Sequence, residues 1–142
     1  MTILDTNVFS EFMRPAPSPQ VIRWVERQRS SRELWLTAIT VAEVLFGIEA
    51  LPKGKRRDGL HSDVEASFAH DFAGRIVAFD EAAARAFPEI AVSRGLRGRP
   101  ISLFDAQIAA IASVHGATVA TRNTADFEGC GVRVVNPWES KK

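Results

Sequence analysis

Four acidic residues, Asp5, Glu43, Asp105 and Asp126, stand in four different local settings, each where a strand-like apolar run ends or a helix begins. They span almost the whole chain, so only folding can gather them. Gathered, they form a carboxylate cluster. Like charges a few Å apart raise one another's pKa, so such a cluster does not stay fully ionised without a cation. A donor set made only of oxygen selects hard ions such as Mg²⁺ or Mn²⁺. A divalent ion among carboxylates supplies an activated water and neutralises charge on phosphoryl oxygens. Metal-assisted phosphodiester hydrolysis is the chemistry these residues point to first.

Each acid also has a plain structural explanation. Asp5 suits an Asx turn. Glu43 lies three residues after Thr40, and Asp105 three after Ser102, the spacing of a helix capping box. Asp126 can close the turn that starts at Asn123. Asp80 follows an apolar run in the same way and reads as a helix N-cap only. The polar neighbours carry the same double meaning. Thr6 and Asn7 beside Asp5, and Thr121 and Asn123 near Asp126, can brace a carboxylate or a metal-bound water, or serve turns. Glu11 is a further acid near the first of the four, with Arg14 as its natural ion-pair partner.

The elements that must position these residues alternate in type. Short apolar runs at residues 2–4, 34–37, 75–79, 118–120 and 132–135 read as five strands. Between them lie helical segments at about 8–13, 19–29, 40–51, 59–73, 81–93 and 102–115. Ser18-Pro19 gives an N-cap followed by proline at the first helical position, and Gly116 ends the last helix. Strands alternating with helices, with no hairpin signals, imply an α/β domain with a mainly parallel sheet. Sites in such sheets lie beyond the carboxyl ends of the strands. The acids fall there: two follow strands and two sit in the first turns of helices, where positive partial charge favours carboxylates.

Composition bounds the alternatives. A chain of 142 residues suits one domain, with a short tail at about 136–142, and 46% hydrophobic with 25% charged residues is an ordinary balance. Net charge is +1, so a nucleic-acid partner needs a local basic groove rather than a global field. The single cysteine, Cys130, excludes an internal disulfide framework and a Cys-based zinc site. With no leader-like N-terminus and no apolar stretch near the ~20 residues of a membrane span, a cytoplasmic protein away from membranes is expected. His61, His70 and His115 lack metal-ligand spacing. Trp24, Trp35 and Trp138 read as core or interface anchors, the last packing back from the tail. Two basic runs, Lys53 with Lys55–Arg57 and Arg94 with Arg97 and Arg99, read as solvated loops or as holders of a phosphate backbone.

Taken together, Asp5-Thr6-Asn7-Val8, Ala42-Glu43, Asp105-Ala-Gln-Ile-Ala-Ala110 and Thr121-Arg-Asn-Thr-Ala-Asp126-Phe127 resemble the four acidic motifs of PIN-domain ribonucleases. Within that family the chain is most similar to VapC toxins of VapBC toxin–antitoxin pairs, including FitB-like members. The motifs run from residue 4 to about 127. The resemblance implies a PIN-like three-layer fold, with a mainly parallel central sheet of about five strands flanked by helices and the four acids at one end. It implies that Asp5, Glu43, Asp105 and Asp126 coordinate one or two Mg²⁺ or Mn²⁺ ions. It implies hydrolysis of RNA to a 5′-phosphate and a 3′-hydroxyl, a homodimer, and a cognate VapB/FitA-like antitoxin that blocks the site. The competing reading is a catalytically inactive PIN-like module that binds RNA or protein. A flavodoxin-like phosphate-acceptor domain also collects acids at strand ends. It needs a lysine and a phosphorylatable aspartate at set strand ends, and the strand after Gly116 offers Thr121-Arg122 instead.

Overall fold

The computed structural model describes residues 1–29, 31 and 33–139; the end of the expected tail, residues 140–142, lies outside them. Five strands form one sheet: β1 (Thr2–Leu4), β2 (Leu34–Thr37), β3 (Ile76–Val77), β4 (Thr118–Ala120) and β5 (Arg133–Val135), in the order β3-β2-β1-β4-β5. Every pairing is parallel. Thr2 sits opposite Leu34 on one side and Thr118 on the other, and Leu4 opposite Ala120. From β1 the chain moves outward through β2 to β3, then returns to β4 on the other side of β1 and continues to β5. The crevice between the carboxyl ends of β1 and β4 is therefore the switch point of the sheet, where open α/β folds bind ligands.

The strands are mostly apolar because both faces are covered. Side chains alternate strictly. Ile3, Trp35, Val119 and Val134 face one core; Leu4, Leu34, Leu36, Ala120 and Val135 face the other. The second core is closed by α1 (Thr6–Glu11), α2 (Pro19–Arg29), α3 (Ala38–Glu49) and α4 (Lys55–His70), through Val8, Phe9, Val21, Trp24, Val44, Ile48, Val64 and Phe68. Phe9 stacks on Phe68 with ring centroids 5.3 Å apart. The first core is closed by α5 (Glu81–Leu96) and α6 (Leu103–His115). The alanines of α6 lie fully buried with Ile108 and Ile111, letting α5 and the sheet approach closely. The result is a three-layer α/β fold. No helix among the described residues is long and apolar enough to cross a membrane.

Several boundaries shift for physical reasons that bear on the site. α1 begins directly after β1, with Asp5 as its N-cap, rather than at Val8. α3 begins at Ala38 because Thr37, the last residue of β2, is the cap: its Oγ1 accepts the Thr40 N–H at 3.1 Å. Glu43 is thus not the partner of a capping box at Thr40, and that structural explanation for it falls away. α4 starts at Lys55, so the basic run Lys55–Arg57 is a first helical turn and not a loop. Arg57 pairs there with Glu49 at 2.5 Å. α5 continues three residues past Ser93 to Leu96. The expected caps at Asp80, Ser102 and Gly116 all stand, and Gly116 adopts the left-handed conformation (φ 60°) that ends α6. Trp138 does pack back from the tail, against the second core and under the Arg122 guanidinium, which lies 5.0 Å from its ring centroid.

Candidate active site

Asp5 leaves β1 at the switch point and is 5% exposed. Its Oδ1 accepts the Thr6 N–H at 2.8 Å. Its Oδ2 accepts from the Thr121 hydroxyl at 2.7 Å and from Asn7 Nδ2 at 3.2 Å. Thr121 is the residue after β4, so this bond ties the two central strands together beyond their ends. The hydroxyl of Thr121 is saturated: it donates to Asp5 and accepts from Asn7 Nδ2 (3.2 Å) and the Asn123 N–H (3.1 Å). Asn7 in turn accepts the Arg122 N–H at 3.2 Å. Thr121 therefore braces Asp5 and not Asp126, while Asn123 contributes its backbone.

Thr6 serves two acids, the expected Asp5 through its N–H and Glu43 through its hydroxyl. Its hydroxyl donates to Glu43 Oε1 at 2.8 Å and lies 3.1 Å from Thr40 Oγ1. With the Thr6 proton committed to Glu43, Thr40 is the donor of that second bond. Glu43, in the second turn of α3, is thereby aimed toward the start of α1. Asp105 sits in the first turn of α6, where its N–H reaches Ser102 Oγ at 3.1 Å. Asp126 lies in a 3-10 turn, Thr124–Phe127, pinned by buried Phe127. Its carboxylate is exposed and accepts no hydrogen bond among the described residues.

The electrostatics report that the four acids share one space. Burial pushes Asp5 up; the bonds from Thr121 and Thr6 oppose this, and the charges of Glu43 and Asp126 add to the rise. Burial also raises Glu43, against its bond from Thr6 and together with the charge of Asp105. Asp105 is raised to about 6, first by burial and then by Asp5, with Asp126 adding to it and Ser102 and Arg94 working the other way. Each of the four is felt by at least one other, as mutually repelling carboxylates in one crevice must be.

Residues 2–129 match the PIN domain family. The chain belongs to that family. This PIN domain is 42% identical over 138 residues to Toxin FitB of Neisseria gonorrhoeae, covering 97% of this chain and 99% of that one. It is 41% identical over 139 residues to VapC ribonuclease Y4jK of Sinorhizobium fredii, covering 98% and 99%. A solved structure of FitAB bound to an IR36 DNA fragment contains a chain that superposes with a TM-score of 0.92 at 41% identity, covering 100% of this chain and 99% of that one.

The PIN domain's crevice offers oxygen donors only: four carboxylates with threonine hydroxyls and an asparagine behind them. Among the described residues no three acidic, histidine or cysteine side chains stand close enough to enclose an ion alone. The donor chemistry, oxygen alone, is the kind that hard divalent cations take. Glu11, by contrast, belongs elsewhere. It is buried, pairs with Arg14 at 3.2 Å and accepts the Ser18 N–H at 2.8 Å. Burial pushes its carboxyl up, but those two partners outweigh it and hold the pKa below its ordinary value. The three histidines are exposed and stand on α4 and α6 away from any ligand set. Arg94 is the residue whose place differs most from expectation. It is 4% exposed, not part of a solvated loop, and it donates to backbone carbonyls. A signal was present: Ala83, Phe87, Ile90 and Arg94 follow the stripe that α5 buries, visible only once the helix extends past Ser93.

Proposed function

We propose that this PIN-domain protein is a divalent-metal-dependent endoribonuclease, the toxin of a VapBC-type toxin–antitoxin pair. The observation that carries the reading is the convergence of Asp5, Glu43, Asp105 and Asp126 on the β1–β4 switch point, where each raises or is raised by another. A structural set of caps and turns has no need to crowd charges in this way. Asp5, Glu43 and Asp105, with Asp126 at the open edge, are the residues we assign to hold one or two Mg²⁺ or Mn²⁺ ions. Such an ion supplies the activated water and the charge neutralisation that phosphodiester hydrolysis requires.

The chain's own contribution is preorganisation. Thr121 and Asn7 fix both the position and the rotamer of Asp5. The Thr40–Thr6 relay does the same for Glu43. The capping geometry at Ser102 orients Asp105. Among the described residues none of the four acids forms an ion pair with a basic side chain, which leaves their charge available to the crevice. Asp5, Glu43, Asp105 and Asp126 would hold an ion that could neutralise the phosphate of an RNA strand entering the crevice. Hydrolysis leaving a 5′-phosphate and a 3′-hydroxyl is the expected outcome.

The similarity to Toxin FitB and to VapC ribonuclease Y4jK supports the ribonuclease assignment, and the structure of FitAB supports a cognate VapB/FitA-like antitoxin. A homodimer, working in the cytoplasm, completes the proposal. Exposed apolar side chains that support such an interface are Phe46 of the early helix α3, Val92 and Leu96 of α5, and Leu103 and Phe104 of α6.

The test begins with the metal, which needs no guess about the RNA. Mn²⁺ titration of the antitoxin-free protein, followed by electron paramagnetic resonance, is expected to show binding that Asp105→Asn weakens while circular dichroism stays unchanged. Cleavage of total RNA and mapping of the new 5′ ends then checks the reaction. Equal Mn²⁺ binding by the wild type and a folded Asp105→Asn variant, with no cleavage by either, would leave an inactive binding module as the better reading.

A further inference from the structure

We propose that Arg94 is a positioning residue of the acidic site, a guanidinium clamp that sets the Asp126 segment against the Asp105 segment. The inference rests on the reading of those acids as a metal site. Arg94 lies on the buried stripe of α5, and among the described residues no carboxylate forms an ion pair with it. A buried cation that feels the Asp105 charge but touches no carboxylate is costly unless its donors are taken up. Here they are taken up by main-chain carbonyls. Nε donates to Arg99 O at 2.7 Å, and Nη1 donates to Ala125 O at 3.2 Å and to Glu128 O.

The placement of those carbonyls is what gives the residue a role. Arg99 belongs to the connection that leads into the N-terminus of α6, where Ser102 caps and Asp105 projects. Ala125 and Glu128 flank Asp126 in the 3-10 turn and its exit. One planar fork thus joins the two backbone segments from which two of the four acids arise. Arg99 adds a second, exposed tie, its Nη1 lying 3.3 Å from Glu128 Oε2. The Asp126 segment needs an external anchor. Its carboxylate has no brace of its own, and the chain leaves through Gly129 and Gly131, both in the left-handed region at φ 75° and 74°. A rigid fork with fixed donor directions can hold two segments at once; an ammonium on a flexible stem cannot reproduce that geometry.

Three measurements test the clamp. In the wild type, nuclear magnetic resonance of the arginine side chains is expected to show resolved, slowly rotating guanidinium signals for Arg94 and averaged ones for exposed Arg97; averaged signals from Arg94 would overturn the proposal without any variant. Arg94→Lys is expected to keep the fold while amide exchange at Asp126 and Glu128 quickens about tenfold or more and Mn²⁺ affinity falls about tenfold, in the range seen when a support behind a metal ligand is lost. That fall should largely vanish when Arg94→Lys is made in an Asp126→Asn background, because the clamp acts through Asp126. Unchanged exchange in Arg94→Lys, or an affinity loss of the same size in both backgrounds, would sink the idea. Should the wild type bind no Mn²⁺, the proposed function fails, whereas the exchange and side-chain signals still decide whether the clamp exists.

Discussion

Asp5 and Asp126 mark opposite extremes of one site. Asp5 is buried at the centre of the sheet, and both of its oxygens are occupied by donors from three residues. Asp126 is exposed at the rim, its carboxylate is unbraced, and only its backbone is held, through Phe127 below and Arg94 beside it. The first acid is positioned by its side chain and the second by its main chain. The difference has a physical basis. A buried carboxylate needs its lone pairs satisfied, so its surroundings must specify it. A surface carboxylate is satisfied by water, so its side chain is free to turn toward an ion or a strand of RNA while its backbone stays held. The core of the site is thus rigid and its edge adaptable.

The sharpest way to break this comparison is Asp5→Asn. Asparagine is as good an N-cap as aspartate and removes a crowded charge, but its amide NH2 meets the Thr121 and Asn7 donors where Asp5 offers an acceptor. A stability loss of about 1–3 kcal/mol is therefore expected, with the fold retained. Cleavage should fall by on the order of 10²–10³-fold, the cost of losing a preorganised charge at a reacting centre. Unimpaired cleavage by a folded Asp5→Asn protein would remove Asp5 from the chemistry. Next in size is Thr121→Val. It leaves the shape but deletes the hydroxyl that serves Asp5, Asn7 and the Asn123 N–H at once. Destabilisation of about 1–3 kcal/mol is expected from the unpaired buried groups, with a loss of metal affinity of about 10–100-fold. Chemical denaturation and Mn²⁺ titration measure the two effects side by side. A stability loss without any affinity loss would make Thr121 a strand tie only. Asp126→Asn should do less: about tenfold in metal affinity and nothing measurable in stability, because its carboxylate accepts no bond. A melting temperature lowered by Asp126→Asn would show that the edge is braced after all.

Much of this architecture was legible from residue order because the strongest local signals coincide with the framework. β2 and β4 fall where the apolar runs fall, and Asp80, Ser102 and Gly116 cap as their chemistry dictates. The four acids were legible as a set, since each follows or opens an element whose end lies at the same edge of a parallel sheet. What stayed hidden is the wiring. The Thr6 N–H serves its neighbour Asp5 while its hydroxyl reaches Glu43, and Thr121, near Asp126 in sequence, serves Asp5. Those choices depend on β1 lying between β2 and β4, which no local pattern states. Arg94 was hidden by a boundary: a helix ended three residues early turns a buried stripe position into one more charge of a basic loop. Thr37 and Thr40 show the same ambiguity in miniature, because either can cap and only the end of β2 decides.

The smallest expected effect concerns Asp105, which lies in the field of both extremes. Its folded pKa of about 6 exceeds its ordinary value of 3.8, with burial the largest cause and Asp5 the next. Below pH 4 the carboxyl is protonated in both folded and unfolded chains and costs the fold nothing. Between about pH 4 and pH 6 the native state still holds a proton that the unfolded state has released, so stability falls as pH rises. Above the folded pKa the loss is complete. A shift of this size corresponds to at most about 3 kcal/mol, and partial solvent access at Asp105 reduces it to about 1 kcal/mol. Urea unfolding midpoints measured with a chelator from pH 4 to pH 8 should therefore decline for the wild type and stay flatter for Asp105→Asn. Adding Mg²⁺ at pH 7 should restore the wild type alone, because an ion that binds only the native crevice stabilises it by mass action. Identical slopes for the two proteins would mean that solvent screens Asp105, and the rigid part of the site would then shrink to Asp5 and Glu43.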